Sequence, residues 1–150
     1  MEVILNQEYE MNHLITRSGR FTVAEFQKNL MEMANSYKDF AVNNGEYMIT
    51  TTKAVEFIAG EQVMDVEILM PVDYRMPVEE PYQFKEKVRL VNALYVKVTD
   101  PALLQETLNQ VNGYITENKL QPITPAYLVQ TKQDSKSCIE VYVGMNPNVL

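Results

Sequence analysis

The chain has 150 residues, 46% of them apolar and 22% charged, which suits one soluble globular domain with a sizeable core. A formal charge of −7 disfavours a phosphate backbone as partner, which needs clustered Lys and Arg, so no nucleic acid is expected. No apolar run approaches the ~20 residues of a membrane span, no basic and apolar leader opens the chain, and the single Cys138 excludes an internal disulfide, so a cytoplasmic protein without membrane association is expected.

In chain order, alternation over 8–17 predicts a first strand. Thr22 and Glu25 then have capping-box spacing, and Phe26, Leu30, Met33 and Tyr37 recur on one helical face. They predict a helix over 22–43, stopped by Asn44-Gly45. Strands follow at 46–58 and 62–72, and the Pro71–Pro81 stretch, with Pro77, Glu79 and Glu80, is the candidate linker. After a strand at 88–98, Asp100-Pro101 supplies an N-cap acid and a proline at the first helical position. That second helix, 101–118, carries Leu104, Leu108, Val111 and Ile115 at the spacing of the first, and strands at 125–132 and 137–144 close the chain.

The two halves echo one another. Met11-Asn12-His13-Leu14-Ile15-Thr16-Arg17 parallels Val91-Asn92-Ala93-Leu94-Tyr95-Val96-Lys97, and each half ends on a strand built around a glutamate, Glu67 or Glu140. A period of about 80 residues is too long for a solenoid unit and fits two fused half-domains. The expected architecture is α+β: a duplicated β-α-β-β repeat, about 8–72 and 88–144, forming one curved antiparallel sheet with two helices on one face. The whole of 1–150 is read as a single domain.

Strand parity marks a candidate site. Ile139, Val141 and Val143 share one face of the last strand and should meet the helices, leaving Cys138, Glu140 and Tyr142 on the other. Leu94, Val96 and Val98 likewise oppose Tyr95 and Lys97, and Tyr127 begins the neighbouring strand. The expectation is a glutamate among tyrosines on an open sheet face. A carboxylate there either protonates or takes a cation, and tyrosine rings offer their faces to that cation. The plainer alternative is an exposed glutamate on the polar side of a half-solvated sheet. Glu67 is the counterpart in the first half and ranks below Glu140, because Asp65 and Leu69 beside it offer no aromatic cage. His13 is placed by parity with Met11 and Ile15 on the face shared with Tyr95; alone it cannot make a zinc site, and neither metal nor cofactor is expected. Met31, Met33 and Tyr37 are read as core packing and Cys138 as a small buried residue.

Three segments resemble the gyrase-inhibitor-like superfamily, which includes the effector-binding domains of multidrug-sensing transcription regulators. Arg17-Ser18-Gly19-Arg20-Phe21 looks like its strand-to-helix turn, Val66-Glu67-Ile68-Leu69-Met70-Pro71-Val72 like the strand closing its first repeat, and Ile139-Glu140-Val141-Tyr142-Val143 like the strand closing its second. The chain departs from the family in having Gly144 where a proline is common and in lacking tryptophan. It is also similar to small Gram-positive proteins found beside type VII secretion genes, which would imply a protein partner. The superfamily resemblance implies a stand-alone effector-binding domain, with a small amphipathic, cationic molecule in a cleft between the repeats and Glu140, Tyr142, Tyr95, Tyr127 and Glu67 as binding residues. It also implies two alternatives: a protein-interaction or secretion-accessory module, and a small hydrolase with Glu140 as general base. No catalytic residue is assigned, the chain is read as more a binder than an enzyme, and either a monomer or a homodimer fits.

Overall fold

A computed structural model describes residues 1–40, 46–133 and 136–146. The elements run β1 (Ile4–Thr22), α1 (Val23–Tyr37), β2 (Glu46–Ile58), β3 (Glu61–Pro71), β4 (Gln83–Val98), α2 (Leu104–Glu117), β5 (Pro122–Gln133) and β6 (Lys136–Met145). The fold is α+β, and the expected order of strands and helices is present. The sheet is not open, however. It closes on itself as an antiparallel barrel in the order β1-β3-β2-β5-β6-β4, with β4 pairing back to β1. What parity marked as an open face is therefore the barrel interior, and the helices pack outside.

The helices form where local chemistry predicts. Thr22 Oγ1 accepts from Glu25 N at 3.2 Å and Glu25 Oε1 accepts from Thr22 N at 2.9 Å, satisfying two of the free donors at the start of α1. Asp100 accepts from Ala102 N at 3.0 Å, and one 3₁₀ turn, Pro101–Leu103, leads into α2. α1 ends at Tyr37 with a 3₁₀ turn, Lys38–Phe40, and the expected stop at Asn44-Gly45 lies outside the described residues. Met33, with Phe26, Leu30 and Tyr37 beside it, packs on Ile15, Ile68 and Met70; Val111 and Ile115, with Leu104 and Leu108, pack on Leu94, Val96, Val141 and Val143. Met31 is exposed rather than core, because it falls off the apolar stripe of its helix.

Two other expectations are corrected. Arg17–Phe21 is not a turn: it continues β1 and pairs with β3 from Arg17↔Ile68 to Phe21↔Met64. Gly19 leaves room there for the Phe21 ring, whose tip lies 2.7 Å from where a Cβ would stand and would have to shift. His13 does not share a face with both Met11 and Ile15. It has a left-handed backbone (φ 59°), as does Asn92 (φ 54°), and strict alternation fails at such a residue. Met11 and Leu14 thus both join the interior cluster, while Ile15 joins the cluster under α1. His13 instead lies near Phe84, with ring centroids 6.2 Å apart.

Candidate functional site

The barrel aligns side chains that sequence separates. Glu67 of β3, Thr51 of β2, Tyr127 of β5, Tyr142 of β6 and Tyr95 of β4 are successive cross-strand partners, a continuous row around the inside wall. Two residues along, on the same face, the next row is Leu69, Ile49, Val129, Glu140 and Lys97. All five residues singled out from the sequence therefore face the same interior, with Glu67 and Tyr95 at opposite ends of the first row.

At one end the half-buried Tyr95 donates its hydroxyl to Glu140 Oε1 at 3.0 Å. Burial, reinforced by the adjacent Glu140 carboxylate, pushes the Tyr95 phenol up to about 12. The Tyr142 ring lies against two others: Tyr9 at 4.5 Å between centroids and 28° between planes, and Tyr95 at 5.0 Å and 44°. These spacings lie within the range of favourable ring–ring contact. At the other end Glu67, only 7% exposed, is held by Lys85 Nζ at 3.3 Å. Burial first, and then the Glu67 carboxylate, raise the Tyr127 phenol. Leu69, Ile49 and Val129 of the second row, with Leu14 and Val88, make an apolar floor. Thr131, paired across the strands with the buried Cys138, has a buried Oγ1 without a hydrogen-bond partner among the described residues.

The folded chain gives Glu67 the aromatic neighbour that its own strand lacks. Glu67 is the more deeply buried, and its phenol neighbour comes from β5 rather than from its own strand. Two contributors were missed, Tyr9 and Lys85. The alternation of Tyr9 with Met11 gave a usable signal for the first. Lys85 had none, because it faces inward with its cross-strand partner Leu14, whose face is set by the left-handed His13 rather than by alternation. Chemically, the site offers two carboxylates, phenol hydroxyls and ring faces over an apolar floor.

The same architecture occurs in solved structures. The chain superposes on a structure titled the crystal structure of the EcmrR C-terminal domain with a TM-score of 0.61 and 18% identity, covering 97% of this chain and 99% of that one. The chain has the fold of the EcmrR C-terminal domain. It also matches EcmrR in a cryo-EM structure of an EcmrR–DNA complex, TM-score 0.69 and 15% identity, covering 97% of this chain and 57% of that longer one. An uncharacterised conserved protein from Listeria innocua matches with a TM-score of 0.53 and 11% identity over 97% of this chain and 91% of that one. No protein-family model and no curated protein sequence matches the chain. Among the described residues no helix is long and apolar enough to cross a membrane.

Proposed function

We propose that the chain is an effector-binding domain of the gyrase-inhibitor-like superfamily, taking a small amphipathic cation inside the barrel with Glu140 as counter-charge. The observation that carries this reading is the Tyr95–Glu140 hydrogen bond beside the Tyr9–Tyr142–Tyr95 ring group. The phenol keeps one carboxylate oxygen engaged, and the neighbouring rings give a bound cation π faces at close range. The shared fold with the EcmrR C-terminal domain is consistent with a domain of this type. The ligand-binding residues in this reading are Glu140, Tyr142, Tyr95, Tyr127 and Glu67, joined by Tyr9 and Lys85. The protein works in the reducing cytoplasm, where the buried Cys138 stays a thiol.

A duplicated origin supports a site between two halves. In the first half Leu14↔Pro71, Ile15↔Met70 and Ser18↔Glu67 pair; in the second Ala93↔Gly144, Leu94↔Val143 and Lys97↔Glu140 pair. The two registers correspond at a spacing one residue shorter than the sequence echo, matching Leu14 with Ala93 rather than Leu94 and the left-handed His13 with Asn92. In this reading Glu67 and Glu140 are equivalent positions.

Thermal shift against a panel of cationic and neutral amphipathic compounds tests the reading, since a ligand of the folded state raises Tm with concentration. Stabilisation by cations that is lost in Glu140→Gln, with the unliganded Tm unchanged, is the expected result. A panel that stabilises equally in wild type and Glu140→Gln, or not at all, overturns it.

A further inference from the structure

The barrel is incomplete at one place, and the gap faces outward. β2 pairs with β5 only over Glu46–Thr51, yet it continues to Ile58 with β3 alone on one side. The edge from Thr52 to Ile58 therefore has no strand partner among the described residues. It carries Val55, Phe57 and Ile58, which are 50%, 74% and 50% exposed. Lys53 and a bulge between Thr52 and Ala54 guard its base, but no charge other than Glu56 and no proline interrupts the outer four residues. Glu56 is itself tied back to Arg20 at 2.8 Å.

Where β2 and β5 part there is a crevice of about 360 Å³, with Thr52 on one side, Ala126 and Leu128 on the other, and Leu108, Val111 and Val143 in its wall. No charged residue lines it. Knob and crevice lie on one side of the sheet. The register Val55↔Met64 and Phe57↔Gln62 puts Val55 and Phe57 on the helix-bearing face, the face of Ile68 and Val66, and the crevice opens between that face and α2.

We infer that this edge is a homodimer interface, each copy pairing its β2 edge with that of a second copy across a two-fold axis near Val55. Antiparallel pairing about such an axis sets Val55 against itself and Phe57 against Lys53 of the second copy. That is one residue from Thr52, at the mouth of the second copy's crevice and on its side of the sheet. The protruding ring and the apolar hole are thus self-complementary, as an isologous contact demands, and the two contacts close without leading to a fibre. The segment Thr52–Ile58 contains one base, Lys53, and one acid, Glu56, so the edges meet without net charge although each copy carries −7. This interface is independent of the interior site.

Sedimentation of the full chain over a range of concentrations and non-reducing electrophoresis of Val55→Cys test the inference together. Directly opposed residues of an antiparallel pair stand about 4.5–5.5 Å apart at Cα, within disulfide reach. The expected results are a concentration-dependent dimer, an interchain crosslink in oxidised Val55→Cys that wild type lacks, and at least about a tenfold weaker dimer for Phe57→Glu at unchanged Tm. A monomer at every concentration overturns the inference and assigns the strip to a different protein's surface. A dimer that Val55→Cys fails to crosslink also overturns it. If Phe57→Glu melts early, the crosslink alone decides.

Discussion

Glu67 lies across from Ser18 in the β1–β3 pairing and Glu140 across from Lys97 in the β4–β6 pairing, yet the chain treats the two acids differently. Glu67 is 7% exposed and meets an ammonium, Lys85 Nζ at 3.3 Å; Glu140 is half-buried and is bonded to a neutral phenol at 3.0 Å. The cost of moving a carboxylate out of water explains the difference. Deep burial demands an opposite charge in contact, whereas partial burial leaves water contact as well as the phenol, with Lys97 across the strands. The contrast is one of depth: Glu67 is held by Lys85 well inside the wall, while Glu140 sits nearer solvent, bonded to Tyr95 and directly across the strands from Lys97.

The comparison breaks most sharply at Lys85. Lys85→Met leaves Glu67 buried without its cation and should cost about 1–3 kcal/mol in chemical denaturation, the lysine's own partial exposure keeping the loss below that of a fully buried pair. Adding Glu67→Gln should restore most of that loss; a Lys85→Met protein as stable as wild type would show that the ion pair contributes nothing.

Tyr95→Phe comes next. Removing the hydroxyl should cost about 0.5–1.5 kcal/mol near neutrality, and it should also alter the alkaline limb. Tyr95 keeps its proton in the folded chain to about 12, while the unfolded phenol loses it near its ordinary value of 10. In that window the folded state binds more protons, so stability is full below about pH 10 and is lost as pH rises toward about 12. Melting profiles of Tyr95→Phe should therefore fall less steeply over that window than wild type; parallel profiles would remove Tyr95 from the alkaline transition. Glu140→Gln should have the smallest effect on stability, within about 0.5 kcal/mol, because an amide still accepts from the phenol and the group keeps some contact with water. A larger loss by denaturant titration would make Glu140 as structural as Glu67.

Both helices were legible in the sequence because their signals are local. Thr22 and Glu25 cap over one turn, Asp100-Pro101 does the same, and the Met33 and Val111 stripes need only the helical period. That Glu140, Tyr142 and Tyr95 lie on the face away from the helices was legible too, since the aliphatic face of each strand identifies its opposite by alternation alone. Alternation fails in β1, where a single left-handed residue at His13 shifts the count, and so Leu14 and Ile15 exchange the faces that parity assigned them.

The sequence by itself determined the order of elements, the caps, the helix faces and the choice of a glutamate among tyrosines, because each depends on neighbours within a few residues. Only the tertiary structure decided that the sheet closes, that Tyr9 stacks on Tyr142, that Lys85 reaches Glu67 and that β2 outruns β5 to leave a bare apolar edge. These facts depend on strand register and barrel stagger, which relate residues far apart in the chain.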